Sequence, residues 1–201
     1  MDTLAGIRVL DVTSSLAGPT CTQLLASLGA EVIKIEPPGG DHARAWGPPF
    51  VNGEGAMFLA SNAGKRSLVL DLSTPDGRDE LLRLAGESHV LVQSLRPGAA
   101  EAHGFGPDAV RARNPDLVYC TIGAFGSRGP LRDQPGYDPL LQAAAGIMSV
   151  TGEPDRPPVR VGVAIADITS GMFAAQGISA ALYARERTGK GQHVDIAMLD
   201  T

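Results

Sequence analysis

Aromatic side chains make up only 4% of this 201-residue chain. Its interior must therefore be filled by Ala, Leu, Val and Ile rather than by large rings. Cysteine is just as sparse: Cys21 and Cys120 stand at no metal-ligand spacing, and the four histidines are scattered. That excludes a zinc knuckle or a disulfide scaffold, and leaves two free thiols in a reducing compartment. No run of Lys and Arg is present and the formal charge is −5, so a general nucleic-acid binder, which must neutralise phosphates, is excluded. No apolar stretch reaches membrane-spanning length, and MDTLAGIRVLDV enters a strand-like pattern with no basic segment before it. The expectation is a soluble cytoplasmic protein without a membrane partner. Two signatures are missing as well. No GxxxxGK[ST] phosphate loop and no G-x-S-x-G elbow occurs, and no Ser/His pair suggests itself. A nucleotide triphosphatase and a serine hydrolase lose their support.

Glycine (25 residues) and proline (15) are plentiful, which implies many tight turns between short elements. Five segments rich in Val, Ile and Leu recur along the chain: IRVLDV (7–12), EVIKIE (31–36), SLVLDL (67–72), HVLVQS (89–94) and LVYCTI (117–122), with HVDIAM (193–198) following late. Helical patterns separate most of them. In PTCTQLLASLGA, Leu24, Leu25 and Leu28 fall at helical spacing before Gly29; in TPDGRDELLRLAGES, Thr74 is an N-cap, Pro75 opens the helix and acids fill its first turn. Helix-sized connections between short apolar strands predict right-handed crossovers and an α/β fold: an open, Rossmann-like, doubly wound, mostly parallel sheet with helices on both faces. Residues 1–125 read as that core and 126–201 as a further region attached to it.

In such sheets ligands bind beyond the carboxyl ends of the strands. The predicted binding edge is therefore Thr13–Gly18, Glu36–Arg44, Ser73, Ser94–Gly98 and Gly123–Gly129. SLAGP (15–19) follows the first strand and opens a helix, so it is either an anion cradle or a plain tight turn. Cations gather on the same edge: Arg44, Lys65 and Arg66 beside Asn62, and Arg96. They are either ligands for a phosphorylated molecule or solvated surface charges. GFGPDA (104–109) follows a polar turn rather than a strand and reads as the entry to a short helix, not as a dinucleotide fingerprint.

One carboxylate stands out. Asp167 is the only charge between Arg160 and Arg185, just before a long helical pattern. It caps that helix, or it is a nucleophile kept ionised but poorly hydrated at a helix start; the two roles are compatible.

The ordered blocks LAGIRVLDVTSSLAGPTCTQLLASLGAEVIKIEPPGGDHAR, NAGKRSLVLDLSTPDGR, LRPG, NPDLVYCTIGAFGSRGP, PGYDPLLQAAAGIMSVTGEPDRPP, VRVGVAIADITSGMFAAQGISAAL and RTGKGQHVDIAMLD resemble the family III CoA-transferases. These include formyl-CoA and carnitine/bile-acid CoA-transferases and the related α-methylacyl-CoA racemases. The resemblance implies that Asp167 is the catalytic aspartate, passing CoA between an acyl-CoA and a free carboxylic acid by way of a mixed anhydride and an aspartyl-CoA thioester. It places coenzyme A, as substrate rather than tightly bound cofactor, against Leu16, Ala17, Leu70, Asp71, Ser73, Ser94, Leu95, Arg96, Gly136, Tyr137 and Asp138. Arg96 is the residue expected to meet phosphate, and no metal is implied. The sequence departs from the family pattern at Pro37, Ser94–Leu95 and Ala102, where a basic residue, Asn–Phe and another basic residue are usual; Arg44 or Lys65 is expected to substitute. Tyr137 stands where the racemase branch has histidine, which favours transferase over the alternative of a 2-methylacyl-CoA racemase. Members of the family are about twice this long and form interlocked homodimers. The chain is thus expected to be a front portion, lacking the smaller domain and the returning segment, and a non-catalytic CoA-binding fragment is the remaining alternative.

Overall fold

The structure, a computed structural model, describes residues 2–201. The chain alternates strand and helix through β1 (Arg8–Val12), α1 (Ala17–Ser27) and β2 (Glu31–Glu36). The Gly/Pro-rich stretch that follows holds a 3-10 turn (His42–Ala45) and a small hairpin, β3 (Phe50–Val51) with β4 (Glu54–Gly55), before α2 (Ala56–Ser61). Strand–helix alternation then resumes with β5 (Arg66–Val69), α3 (Pro75–Gly86), β6 (Val90–Gln93), α4 (Ala99–Ala102), α5 (Pro107–Arg113) and β7 (Val118–Gly123). The last third contributes α6 (Asp138–Ala144), the long α7 (Ile165–Thr188) and β8 (His193–Ala197).

Six strands form one sheet in the order β5-β2-β1-β6-β7-β8, and every neighbouring pair is parallel. The chain starts in the middle of the sheet, works outward to β5, then returns across β1 to build the other half from β6. The order therefore reverses between β1 and β6, and there the crossover connections diverge to leave a crevice at the strand ends.

Strand alternation sends successive side chains to opposite faces. Val9, Val90, Val92, Val118 and Cys120 cluster with Cys21 and Leu25 of α1 and with Ala174, Ile178 and Leu182 of α7. Leu10, Leu91, Leu117 and Tyr119 go the other way, to Leu81 and Leu82 of α3 and Val110 of α5. The Tyr119 hydroxyl, buried on that side, donates to the Phe105 carbonyl at 3.0 Å, which removes the cost of an unpaired polar group. Cys21 and Cys120 are both buried as free thiols, and burial pushes both pKa values up.

Local signals behave as their chemistry dictates. Thr74 caps α3, accepting from the Gly77 amide at 3.1 Å, with Pro75 in the first turn. In α1 the helix begins at Ala17, so Pro19 falls in its first turn. Helices α1 and α7 lie against each other at Gly171: a β-carbon there would sit 2.7 Å from the Ala17 carbonyl oxygen and 2.8 Å from Thr20 Cβ. Only glycine permits that approach, and it brings the start of α7 beside the start of α1.

Candidate active site

The β1–α1 turn is held from below by buried charges. Lys34 Nζ donates to the Thr13 carbonyl at 2.9 Å and pairs with Asp41 Oδ2 at 2.9 Å. Lys65 Nζ reaches Asp11 Oδ2 at 2.9 Å, the Pro19 carbonyl at 3.0 Å and Asn62 Oδ1 at 2.8 Å. Burial alone would raise the Asp11 pKa. The Lys65 and Lys34 charges and the Thr13 and Thr22 hydroxyls outweigh it and bring the value to about 2. Arg44 is tied in the same way, its guanidinium forked onto Glu36 at 2.8 and 2.7 Å and paired with Glu54 at 3.0 Å. Arg44 and Lys65, expected to substitute as phosphate ligands, are thus saturated by carboxylates of the fold itself. Arg66 pairs with Glu31. Arg96 is different: among the described residues its guanidinium has neither a hydrogen bond nor an ion pair, and it lines the crevice.

Among the cavities at the strand ends, two, of about 330 and 350 Å³, adjoin the β1–α1 turn. The first contains Ala17, Ser94, Arg96, Gly136, Tyr137 and Asp167. The second contains Leu70, Asp71 and Ser73 together with His103 and Phe105. Both share Ser14, His42 and Leu95, so they form one groove running from the end of β5 across β1 and β6 to the start of α7. Nine of the eleven residues expected to contact CoA line this groove. The other two do not. Leu16 occupies the cap position of α1, and Asp138 is buried behind the wall.

Asp138 has a different task. Its Oδ1 accepts from the Ala166 amide at 2.7 Å and, more distantly, from the Asp167 amide at 3.4 Å, while Oδ2 accepts from Gln142 Nε2 at 2.6 Å. It therefore satisfies the free amides at the start of α7 from outside that helix. This changes the reading of Asp167. Helix α7 begins at Ile165 with Ala164 at the cap and no side-chain cap bond from its own sequence, and Asp167 lies in the first turn. Because Asp138 has taken the amides, the Asp167 carboxylate accepts none of them and is left to the groove. Burial raises its pKa, and the neighbouring Asp138 charge adds to the effect, to about 6. A carboxylate with that value is mostly ionised at neutral pH and more basic than an ordinary aspartate, which suits it to nucleophilic attack on an activated carbonyl.

The sequence did not single out Ser15 and His42. They are 27 residues apart, yet Ser15 Oγ and His42 Nε2 lie 3.0 Å from each other at the junction of the two cavities. Both fall inside the predicted edge segments 13–18 and 36–44. What the sequence could not supply was the fold-back that joins those segments, made by the Lys34–Asp41 pair. Ser15 also adopts φ 67°, a left-handed conformation that non-glycine residues adopt at a cost.

The model of CoA-transferase family III matches residues 4–201. The chain is 46% identical over 204 residues to a succinate–glutarate CoA-transferase of Agrobacterium fabrum, covering 98% of this chain and 51% of that protein. It is 45% identical to an acetyl-CoA:oxalate CoA-transferase of Acetobacter aceti, covering 97% and 50%. A crystal structure of a CAIB/BAIF family protein from Brucella suis superposes with a TM-score of 0.96 at 45% identity, covering all of this chain and 54% of the other. The chain spans about half the length of the curated relatives it matches. With an α/β sheet of this order and residues matched from Leu4 to its end, the chain belongs to CoA-transferase family III.

Proposed function

We propose that this chain supplies the CoA-binding groove and the nucleophile of an enzyme that moves CoA from an acyl-CoA thioester to a free carboxylic acid. The observation that carries the reading is the Asp167 carboxylate, partly buried and without a hydrogen-bond partner among the described residues, at one end of a groove whose other end is built from strand-end loops. The nucleotide end of CoA lies by Leu70, Asp71 and Ser73, Arg96 meets phosphate, and the pantetheine arm passes Ser94 and Leu95 to bring the thioester carbonyl to Asp167. Leu16 and Asp138 act from behind this surface, through the α1 turn and the α7 start. Relatives named for succinate, glutarate and oxalate make dicarboxylic acids the proposed acids.

Asp167 attacks the thioester carbonyl carbon, the C–S bond breaks and CoA leaves as thiolate, giving a mixed anhydride. The thiolate then attacks the aspartyl carbonyl, releasing the first acid as carboxylate and leaving an aspartyl-CoA thioester. The incoming carboxylate attacks that thioester and expels the thiolate into a second anhydride. The thiolate takes the new acyl group and Asp167 is regenerated. Each step exchanges one activated acyl bond for another, so no nucleotide triphosphate is consumed, and water must be kept out while the anhydride exists. The interlocked homodimer expected of the family belongs to the same proposal.

Incubation with acyl-CoA followed by hydroxylamine tests the reading: a hydroxamate should form on Asp167 and be absent from Asp167→Ala. Normal CoA exchange by the alanine variant would refute the assignment. Deuterium wash-in at the α-carbon of a 2-methylacyl-CoA without any acceptor acid would identify a racemase instead.

A further inference from the structure

The groove has a built polar junction that the transfer chemistry leaves unused. Ser15 and His42 meet there at 3.0 Å, and the contact is held from three sides. Trp46 packs edge-on against the His42 ring with centroids 5.0 Å apart. The buried Asp41 carboxylate lies 3.7 Å from His42 Nδ1. The same Asp41 is fixed by Lys34, which also fixes Thr13 two residues before Ser15. Strain at a residue whose neighbours are locked is found where a side chain must be aimed.

We propose that Ser15 and His42 form the subsite for the remote carboxylate of a dicarboxylic acyl group, an inference that rests on the CoA-transfer reading above. A dicarboxylate reacting through one end must place a second anion away from Asp167, whose own negative charge repels it. The junction meets that need. In the neutral tautomer that carries its proton on Nε2, His42 donates to Ser15 Oγ, and the Ser15 hydroxyl is free to donate its own proton to a carboxylate oxygen. Each bond in that relay polarises the next. Arg96, the other donor of comparable strength in the cavity, is committed to phosphate in the same reading. A monocarboxylic acyl group of equal length would leave the relay without a partner, so the pair discriminates by the presence of a charge and not by size.

Binding of succinyl-CoA and butyryl-CoA, which differ by carboxylate against methyl, separates this subsite from the cofactor groove. The measurement is made by calorimetry on the purified protein in an Asp167→Ala background that blocks turnover. Succinyl-CoA should bind about tenfold or more tightly than butyryl-CoA, the effect of one hydrogen bond to a charged group. His42→Ala and Ser15→Gly should each erase that preference by weakening succinyl-CoA far more than butyryl-CoA; glycine accepts the φ of Ser15, so it removes the hydroxyl without adding strain. Equal binding of the two thioesters by the parent would overturn the proposal. So would a preference that survives both substitutions, or a parallel loss of both affinities, which would assign the pair to CoA itself. Failure of the parent to bind either thioester would overturn the CoA reading beneath it as well.

Discussion

Asp167 and Asp138 are two carboxylates within the same few ångströms of backbone, and their surroundings divide the work between them. Asp138 receives amide and amide-type donors on both oxygens, whereas Asp167 receives none and is pushed up from the ordinary aspartate value to about 6. A carboxyl group with a raised folded-state pKa binds a proton more tightly when folded. Stability therefore falls as pH rises from about 4 to about 6 and is flat beyond. Asp167→Asn should melt higher than the parent at pH 7, by about 1–2 kcal/mol after allowing for its partial contact with solvent, and equally with it below about pH 4. CoA transfer should lose rate as pH falls through about 6, since the protonated acid is no nucleophile. In Asp138→Asn that acidic limb should move to lower pH, because one source of repulsion is gone while an oxygen remains for the α7 amides. A limb that stays in place would show that Asp138 does not tune Asp167. None of this division was legible in the sequence. Asp167 drew notice because it is an isolated charge. That its capping duty falls to Asp138, 29 residues earlier, follows only from α6 packing against α7.

At the level of elements, the alternation of core-facing residues made all six strands of the main sheet readable in advance, five of them to within one residue at each end, while SLVLDL (67–72) overran β5 by three residues. The reason is visible at Val9 and Leu10 or Val90 and Leu91, where neighbours serve opposite faces and both must be apolar. The misreadings fall where partners are remote. Lys65 looked like a free cation because its carboxylate, Asp11, lies far back in the chain, and Arg44 because the turn that folds it onto nearby Glu36 leaves no mark in the sequence. The hairpin β3–β4 was hidden in a stretch that composition marks as loop. The crossing of α1 and α7 was equally silent, although Gly171 was in plain view; its meaning depends on the Ala17 carbonyl facing it. Gly171→Val should force the helices apart at a cost of about 1–3 kcal/mol. Because Asp167 lies one turn before Gly171, the hydroxamate yield should fall more steeply than affinity for CoA, as equilibrium binding and trapping on one preparation would show. Equal losses would mean that the crossing sets the groove as a whole and not the nucleophile.

On the scale of the molecule, the reversal of strand order between β1 and β6 determines where the groove can be. The fold class and the presence of a groove at the strand ends were both readable from strand–helix alternation. The order of strands was not, because it depends on the directions in which crossovers pack. A ligand spanning this crevice touches the ends of both half-sheets and should stabilise them together. CoA at about a hundred times its dissociation constant should add about 2.7 kcal/mol to the unfolding free energy, seen as a rise in melting temperature. A melt that ignores CoA would remove the groove's assignment.

The two cysteines supply an internal clock for such experiments. Cys21 sits on α1 and Cys120 on β7, both sealed between the sheet and α7 and both kept as neutral thiols by their surroundings. An alkylating reagent needs thiolate and access, and the native packing denies it both. Labelling at either sulfur therefore counts the moments when the α1–α7 layer lifts from the sheet. If filling the groove slows labelling at both sites by one common factor, that layer opens as a single unit; unequal factors would resolve it into parts that breathe on their own.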